Sequence, residues 1–483
     1  MIRDIERLKS NHFDILVIGG GINGCAISRD AALRGAKVAL IEKDDFASGA
    51  SGKTTKLIHG GLRYLEQFNF RLVCESLRER ARLLRQTPHL VKPLEFIIPV
   101  YKDDLRSLFK IRTGVYIYDR LAAGNNICPH RALKKQELLS LEQNINPLNL
   151  KGGVIYCDAQ MDDIRLCLDN AISAYDAGTT VANKIEAVGF IKDRGKITGI
   201  EAQDKLTGEQ FIIYASLVIN ATGAWSNRIV KMDEPTVPEI TRPTKGIHIV
   251  YKRLPHQRAI LLPARKDRRV LFIIPWRNYS LIGTTDTDYT GSADDVYADA
   301  HEVEYLLEEA SRVFGTGNLD RGGIITTFAG LRPLVNIQGK PASNVSREHL
   351  IQESRSGLIS VVGGKYTTYR HLAEQVVDLA LASNKSRNFK KCQTYIQGPS
   401  PFSFKAGKDD LGNLVEQAVK EEMAVSLIDL LARRLQFSVT PAHGFECLQE
   451  CADIMGSFLG WTDTKKEQQI SQYKEEIRKN MNF

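Results

Sequence analysis

Two short apolar runs near the start of the chain, Ile15–Ile18 and Val38–Ile41, flank a stretch with helical periodicity. Four apolar residues bounded by glycine are typical of a buried parallel strand. The helical stretch ends near Arg34 and Gly35, and the second run is followed by Glu42. The pattern therefore predicts a strand, a tight turn, a helix and a second strand that ends at an acidic residue.

Longer-range patterns divide the rest of the chain. Residues 162–178 predict a helix that ends at Gly178, and strand residues around Val181 follow it. Residues 256–276 predict two strands separated by a charged turn, and residues 404–483 predict a helical tail after a linker. We expect a discontinuous dinucleotide-binding domain (1–80, 150–235 and 325–385), a substrate domain (81–149 and 236–324) and a helical C-terminal domain (404–483).

Three glycines occupy the first predicted turn in G-x-G-x-x-G spacing, at Gly19, Gly21 and Gly24. The first allows the sharp turn, the second lets a pyrophosphate approach the backbone, and the third lets helix and strand pack closely. The helix N-terminus favours the pyrophosphate charge. Glu42 can accept hydrogen bonds from both ribose hydroxyls, which argues against a phosphorylated ribose. NAD and FAD both remain compatible with this turn.

The segment after Glu42 favours a flavin. Glycines alternate there with small and hydroxyl residues, including Ser48, Ser51, Thr54 and Thr55, so the backbone can follow an extended ligand. A nicotinamide-dependent enzyme usually continues with another strand and helix. The segment then reaches His59, two glycines, Arg63 and Tyr64, which can move a proton, bind an anion and donate a hydrogen bond.

Composition and net charge exclude few classes of protein. The chain has 483 residues, of which 43% are hydrophobic and 25% charged, and a formal net charge of +8. This charge suits anionic phosphates or an anionic membrane surface as well as a plain basic surface, and we expect no nucleic acid partner. No apolar run approaches the roughly 18 residues of a membrane span, and the start lacks a secretion signal, so we expect a cytoplasmic protein.

The eight cysteines form no C-x-x-C pair, and we expect all of them to be reduced. His443, Cys447 and Cys451 recur every four residues, which would align them on one helical face. Such a trio would lack a fourth metal ligand, so packing in a helix interface is favoured and no metal site is predicted. The basic amphipathic stretch 70–91 could rest on an anionic membrane, but a solvated helix face is favoured.

The stretches GGGINGCAISRDAALRG (19–35) and ASGKTTKLIHGGLRYLE (50–66) resemble the flavin-dependent glycerol-3-phosphate dehydrogenases, which belong to the glycine/D-amino-acid-oxidase-like flavoproteins. Further blocks of resemblance follow in order, from VINATGAWSNRI (218–229) to VVGGKYTTYRHLAE (361–374). The resemblance covers about residues 12–435. Cys25 and the pair Gly52 and Lys53 depart from the family pattern.

The resemblance implies an α/β fold in which a discontinuous Rossmann-like FAD-binding domain is combined with an α+β substrate domain and a C-terminal all-helical cap. It also implies oxidation of sn-glycerol 3-phosphate to dihydroxyacetone phosphate, with electrons passed from FAD to a membrane quinone. The enzyme would then attach peripherally to the inner face of the cell membrane, and a homodimer is compatible with this picture.

The implied site residues fall into three groups. Arg63, Tyr64 and Arg347 would hold phosphate, because arginine presents a bidentate fork to such groups, and Thr285 would complete the substrate pocket. His59 is the favoured base, since an imidazole titrates near neutral pH, while Arg332 and Lys365 would supply charge beside the flavin and the alcohol oxygen. The cofactor-binding residues would be Gly19, Gly21, Asn23, Gly24, Glu42, Lys43, Ser51, Thr55, Val181, Gly223, Gly363, Gly364, Thr367 and Thr368.

Three alternatives stay open at this point. An oxidase would act on the same substrate but reduce oxygen to hydrogen peroxide. An amine or amino-acid oxidase of the same fold would need one carboxylate clamp rather than several arginines. A flavin-binding or membrane-surface protein without catalytic activity would not reduce its flavin with substrate at all. His59 could also serve only as a hydrogen-bonding group, in which case Arg332 is the rival proton-handling residue.

Overall fold

The computed structural model describes residues 1–267, 269–314, 317, 319–336, 349–382, 388–394, 398–399 and 410–483. Its strands are β1 (His12–Ile18), β2 (Val38–Ile41), β3 (Leu57–Ile58), β4 (Val91–Tyr101), β5 (Arg131–Lys134), β6 (Leu150–Met161), β7 (Thr180–Ala182), β8 (Ile185–Asp193), β9 (Lys196–Asp204), β10 (Gln210–Asn220), β11 (Thr241–Lys252), β12 (Ala259–Pro263), β13 (Val270–Trp276), β14 (Tyr279–Gly283), β15 (Thr287–Asp288), β16 (Ile324–Val335), β17 (His349–Glu353) and β18 (Ile359–Gly363).

Its α-helices are α1 (Ile5–Ser10), α2 (Ile22–Leu33), α3 (Phe70–Gln86), α4 (Leu108–Leu121), α5 (Lys135–Leu141), α6 (Asp163–Asp176), α7 (Ser226–Asp233), α8 (Ala300–Ser311), α9 (Tyr369–Ala382), α10 (Leu411–Glu422), α11 (Leu448–Leu459) and α12 (Asp463–Met481). A short π-helical turn, Asp429–Arg434, lies between α10 and α11.

The first sheet has the order β17-β18-β10-β1-β2-β7, and β9 and β8 extend it beside β10. Strand β1 pairs in parallel with both β2 and β10. Ile15 and Val17 of β1 pack against helices α2, α6 and α9, whereas Leu16 and Ile18 pack against residues of β8, β9 and β10. Both faces of the strand are therefore buried, as its continuous apolar run predicts, and the expected Rossmann-like α/β fold is confirmed.

The second sheet has the order β15-β11-β14-β13-β12-β4-β6-β3, with β16 paired to β11 and β5 to β6. One of its faces forms an apolar core with residues of α8, and the other packs against α3 and α4. Strands β6 and β16 belong to this sheet, whereas the sequence division placed them in the dinucleotide-binding domain. An alternating pattern identifies a strand, but its pairing partner depends on long-range contacts that the local pattern does not contain.

The C-terminal residues form a separate helical cluster, as expected, around Leu430, Met455 and Tyr473. Charged groups fasten this cluster to the first sheet. The Asp45 carboxylate is fully buried and accepts hydrogen bonds from Arg434 Nη1 at 2.7 Å and Nη2 at 2.9 Å, and Glu422 accepts two from Arg165 at 2.9 Å. The cap therefore depends on buried ion pairs as well as on apolar packing.

Two expectations about cysteine were wrong. Cys128 and Cys157 form a disulfide with a Cα–Cα distance of 5.7 Å, and the other six cysteines are free. The fold brings the loop after α4 against β6, which residue spacing does not predict. His443, Cys447 and Cys451 share no helical face, because α11 begins only at Leu448.

The basic face of helix α3 is less solvated than the pattern suggested. Arg78 and Arg85 are exposed, but Arg80 is buried and bonded to Asp158, and Arg82 contacts Glu79. Among the residues that the structure describes, no helix is long and apolar enough to cross a membrane.

Candidate active site

A cavity of about 310 Å³ lies where the carboxyl ends of β1 and β2 meet the second sheet. Six parts of the chain contribute most of its wall: residues 18–23, 42–44, 48–59, 221–229, 330–335 and 363–367. Parallel sheets commonly bind ligands outside the carboxyl ends of their strands.

The glycine turn at one end of the cavity leaves no room for side chains. Gly19 has φ +113°, and a Cβ there would lie 2.7 Å from the carbonyl oxygen of Ala221. A Cβ on Gly24 would lie 1.8 Å from the carbonyl oxygen of Gly19. Helix α2 begins directly after Gly21, and its Ile22 N–H donates to Ser51 Oγ at 2.9 Å. This cradle fits the pyrophosphate of a dinucleotide, since backbone can approach it and a helix N-terminus faces it.

Glu42 follows β2 and faces the same cavity. Its carboxylate accepts the Gly20 N–H at 2.6 Å and the Asp44 N–H at 2.8 Å. Burial nevertheless raises the pKa of Glu42 to about 7, and the two backbone donors only partly oppose this. Nearby, the Lys43 ammonium lies 4.5 Å from the centre of the Trp225 indole. Glu42 therefore lines the cavity at the end of β2, the position where the spacing predicts an acceptor for ribose hydroxyls.

His59 is tied to the opposite wall through its backbone. Its N–H donates to Thr367 Oγ1 at 3.1 Å, and the Thr367 hydroxyl donates to the His59 carbonyl at 3.2 Å. The imidazole ring lines the cavity and lies edge-on to Phe272, with 6.3 Å between ring centroids. The turn at 363–367 therefore fixes the backbone from which the imidazole extends.

Tyr64 and Lys365 meet beside this histidine. The Lys365 ammonium lies 3.8 Å from the centre of the Tyr64 ring and donates to Ser76 Oγ at 3.1 Å. Gly61 has φ +82°, and a Cβ there would lie 2.3 Å from the Tyr64 ring and 2.9 Å from Lys365 Nζ. The glycine is thus required for this cation–aromatic contact to form at the cavity wall.

Arg332, on β16, is held by side chains and backbone of the second sheet. Its Nη1 donates to Asp286 Oδ1 at 3.1 Å, and its Nη2 donates to Thr284 Oγ1 at 2.9 Å and to the Thr285 carbonyl at 3.0 Å. A Cβ on Gly246 would lie 2.2 Å from Nη2, so only glycine leaves room for the guanidinium.

His248 is a cavity residue that the sequence reasoning missed. It lies on β11, its ring stacks on Phe328 at 4.9 Å, and its Nε2 lies 2.9 Å from Thr55 Oγ1. Burial, together with the charges of Arg332 and Lys56, holds the pKa of His248 well below 6.5. This imidazole is therefore neutral at physiological pH. In the sequence, this histidine stands within an apolar strand run, where it cannot be distinguished from an ordinary core residue.

Most of the predicted site residues line this one cavity: His59, Tyr64, Arg332, Lys365, Gly19, Gly21, Asn23, Glu42, Lys43, Ser51, Thr55, Gly223, Gly363, Gly364 and Thr367. Five others lie outside its wall: Arg63, Gly24, Val181, Thr285 and Thr368. The Thr285 hydroxyl is buried, accepts the Ile247 N–H and donates to Glu302. Arg347 lies outside the described residues.

Comparison with known proteins agrees with this geometry. Residues 14–370 match the family model described as FAD dependent oxidoreductase, and residues 365–466 match the C-terminal domain of alpha-glycerophosphate oxidase. A glycerol-3-phosphate dehydrogenase of Synechocystis sp. is 36% identical, covering 99% of both chains. An aerobic glycerol-3-phosphate dehydrogenase of Staphylococcus haemolyticus is 36% identical over 89% of this chain and 78% of its own.

Solved structures extend the likeness to the fold. The glycerol-3-phosphate dehydrogenase of Bacillus halodurans, complexed with FAD, superimposes with a TM-score of 0.82 at 26% identity, covering 99% of this chain and 97% of its own. An L-alpha-glycerophosphate oxidase of Mycoplasma pneumoniae shares the fold, with a TM-score of 0.62 at 17% identity over 81% of this chain and all of its own. The chain belongs to the FAD-dependent oxidoreductases and, within them, to the glycerol-3-phosphate dehydrogenase family.

Proposed function

We propose that the protein oxidises sn-glycerol 3-phosphate to dihydroxyacetone phosphate. The observation that carries this proposal is the meeting of His59, Tyr64 and Lys365 at one end of a cavity whose other end is a dinucleotide cradle. FAD, when bound, supplies the acceptor for the hydride that leaves the carbinol carbon. The protein must then accept a proton from the alcohol, hold the phosphate and stabilise negative charge.

His59 is the proposed proton acceptor. Its backbone is held on both sides by Thr367, so the ring projects into the cavity from a fixed point. His248 also lines the cavity, but its depressed pKa keeps it from holding a proton near neutral pH. We therefore assign proton transfer to His59 and a neutral hydrogen-bonding role to His248.

Lys365 and Tyr64 are the proposed phosphate contacts within the described residues. An ammonium and a phenol side by side supply a charge and a hydrogen-bond donor to an anion. Arg63, one residue before Tyr64, and Arg347 remain proposed phosphate ligands from the resemblance, as Thr285 remains a proposed pocket residue. Arg332, held by Asp286 and Thr284, would stabilise the alkoxide oxygen as the proton leaves.

The proposed cofactor contacts follow the cradle. Gly19, Gly21 and Asn23 would surround the pyrophosphate, with Gly24 letting α2 pack closely behind them, and Glu42 and Lys43 would meet the adenosine end. Ser51, Thr55, Val181 and Gly223 would line the length of the cofactor, and Gly363, Gly364, Thr367 and Thr368 would lie at the flavin ring. Positive φ angles at Gly223, Gly363 and Gly364 support close backbone approach at these turns.

The test is anaerobic rapid mixing of the FAD-loaded enzyme with sn-glycerol 3-phosphate. His59→Asn should slow flavin reduction at saturating substrate by roughly 10²-fold or more, because general-base catalysis contributes about that much. Lys365→Ala should mainly raise the substrate concentration needed for half-maximal reduction. Arg85→Ala, an exposed change on α3, is the control. Equal reduction rates in His59→Asn and the parent enzyme would remove His59 as the base.

For the electron acceptor, we propose a membrane quinone. Exposed apolar side chains just after Tyr64 and on or just before helix α4 support this. The exposed fractions are 79% for Phe68, 42% for Phe70, 66% for Leu105, 79% for Phe109 and 53% for Tyr116. We call these residues the outer aromatic surface. Phe68 directly follows the turn that holds Tyr64, and its φ of +55° is unusual for a bulky side chain.

Charge favours an anionic bilayer as the occupant of the outer aromatic surface. Helix α4 exposes Lys110, Arg112 and Arg120 as well as Phe109 and Tyr116. Its one acidic residue, Asp119, is bound by His130 Nδ1 at 2.5 Å. Aromatic and basic side chains together are typical of a helix that lies in a membrane interface. A quinone dissolved in that membrane would then lie close to the Tyr64 end of the site.

Vesicle flotation tests the attachment. We expect the enzyme to float with vesicles that contain anionic lipid and to stay behind with neutral ones. The double variant Phe68→Ser/Phe109→Ser should lose flotation, whereas Leu148→Ser, which removes an equally exposed side chain elsewhere, should keep it. Unchanged flotation of the double variant would contradict the bilayer assignment. So would a double variant that sediments as a smaller species than the parent enzyme but binds lipid equally well, because the surface would then be a contact between two copies of the chain.

An oxygen-dependent oxidase is the second candidate, since an L-alpha-glycerophosphate oxidase shares the fold. Mixing the reduced enzyme with air or with a soluble quinone separates the two. Faster reoxidation by quinone supports the dehydrogenase, and rapid formation of hydrogen peroxide supports the oxidase.

A further inference from the structure

A buried hydrogen-bond network lies behind the turn that carries His59. The N–H of Gly60 donates to the Tyr118 hydroxyl oxygen at 2.7 Å and, at the longer distance of 3.3 Å, to Asp158 Oδ1. The Tyr118 hydroxyl donates to Asp158, at 2.8 Å to Oδ1 and 2.9 Å to Oδ2. Arg80 Nη1 donates to the same Oδ1 at 2.6 Å. Tyr118, Asp158 and Arg80 are each only 1% exposed.

Each member of this network comes from a different element. Arg80 lies on α3, Tyr118 on α4 and Asp158 on β6. Arg80 also donates to the carbonyls of Cys157 and Asn125, each at 3.1 Å. The Cys128–Cys157 disulfide joins the same loop and strand, so the network has a covalent support.

The fit of Gly60 shows how closely the turn packs against the network. A Cβ on Gly60 would lie 2.4 Å from the Tyr118 hydroxyl and 2.6 Å from Leu77. The turn therefore sits directly on the tyrosine oxygen, with no space for a side chain between them. Burial raises the pKa of Asp158, while Arg80 and Tyr118 oppose this and favour the carboxylate.

We propose that Tyr118 is a positioning residue for His59, and that Asp158 and Arg80 hold Tyr118 in its orientation. The Gly60 N–H belongs to the same peptide group as the His59 carbonyl, so its nearer acceptor, the Tyr118 hydroxyl, orients the peptide plane between the two residues. Together with Thr367 on the other side, this holds the imidazole at one point of the cavity. The inference rests on the proposed role of His59 and adds the residues that position its imidazole.

Tyr118→Phe removes the hydroxyl and little else, whereas Asp158→Asn leaves the Arg80 charge buried without its partner and can impair folding. Tyr118→Phe is therefore the principal variant. Tyr101→Phe is the matched control, because Tyr101 is also a buried tyrosine and its hydroxyl has no hydrogen-bond partner among the residues that the structure describes. We expect Tyr118→Phe to slow substrate-dependent flavin reduction roughly tenfold or more, since small displacements of reacting groups cost that much.

A second readout needs no activity. Hydrogen exchange of the peptide that contains Gly60 should be faster in Tyr118→Phe than in the parent enzyme, and unchanged in Tyr101→Phe, in the presence and absence of FAD. A double-mutant cycle with His59→Asn then shows whether Tyr118 acts through the imidazole. If it does, Tyr118→Phe should add almost nothing to the loss caused by His59→Asn.

The outcomes are distinguishable. Parent-like exchange at Gly60 together with parent-like flavin reduction in Tyr118→Phe would overturn the proposal. Fully additive losses in the double variant would also overturn it, because Tyr118 would then act independently of His59. If His59→Asn alone has no effect but Tyr118→Phe speeds exchange and slows reduction, the assigned base fails while the positioning of the turn stands.

Discussion

Glu42, the acid at the end of β2, should make FAD affinity dependent on pH. In the protein without cofactor, burial raises the pKa of Glu42 to about 7, so the carboxyl group is half protonated at that pH. Ribose hydroxyls donate to the carboxylate form, and a bound cofactor therefore lowers this pKa. Binding of FAD should release a proton, and its affinity should fall as the pH falls below 7.

The size of the effect follows from linkage. If the bound carboxylate returns to an ordinary pKa of about 4.3, affinity falls close to tenfold for each pH unit between about 7 and that value. Between pH 8 and pH 5 the dissociation constant should therefore rise roughly 80-fold, about 2.6 kcal/mol. Above pH 7.5 it should change little, because Glu42 is already ionised.

The assay is titration of the flavin-free protein with FAD, followed by quenching of flavin fluorescence from pH 5 to pH 9. Glu42→Gln should bind weakly at every pH, with a nearly flat profile, because the amide cannot ionise. Glu6→Gln, a change at an exposed position of helix α1, should keep the parent profile. A flat profile in the parent protein, or an equal slope in Glu42→Gln, would refute the reasoning.

Three further predictions concern the cradle, the cap and the disulfide. Gly24→Ala should produce colourless protein, because its Cβ would lie 1.8 Å from a backbone oxygen; yellow protein with normal FAD content would contradict the close packing. Asp45→Asn should cost about 3–5 kcal/mol, since it removes the carboxylate charge that pairs with the largely buried guanidinium groups of Arg433 and Arg434, and should speed hydrogen exchange in residues 410–483 by roughly 10²–10⁴-fold; unchanged exchange would show that this ion pair does not hold the cap. Alkylation of the unfolded chain without reductant should modify six of the eight cysteines, and eight modified residues would exclude the Cys128–Cys157 bond.

Acid should loosen the same cap. Burial tends to raise the pKa of Asp45, but Arg434 and Arg433 outweigh it and hold the pKa below its usual range. A carboxylate with a depressed pKa contributes stability that is fully present above its unfolded value of about 3.9 and is lost as the pH falls through the folded value. This loss belongs to strongly acidic solution and not to the range in which Glu42 titrates.

The first sheet could be predicted because its signals are local. The apolar runs of β1 and β2, the glycine spacing and Glu42 all lie within thirty residues, and each has one physical reason. The second sheet could not be assigned in the same way. Strand β16 joins β11 through an antiparallel ladder from Thr241↔Val335 to Tyr251↔Ile324, and nothing local to β16 specifies that partner.

The candidate site shows the same difference between residues with local sequence signals and residues placed by long-range contacts. His59, Tyr64 and Lys365 were predicted from motifs, and the structure places them on one cavity wall. Tyr118 carries no motif, because its role depends on a contact with Gly60 that only the packed helices create. His248 looked like a core residue in an apolar strand, and only its neighbours Thr55 and Arg332 reveal its place in the cavity.

The most direct test of the account is the colour of the enzyme under anaerobic conditions. When sn-glycerol 3-phosphate is added to the FAD-loaded protein without any other acceptor, the visible flavin absorbance should bleach, with one dihydroxyacetone phosphate formed for each flavin. Glycerol without its phosphate should bleach it far more slowly. A flavin that stays oxidised with sn-glycerol 3-phosphate, or that bleaches equally well with glycine, would contradict the proposed reaction.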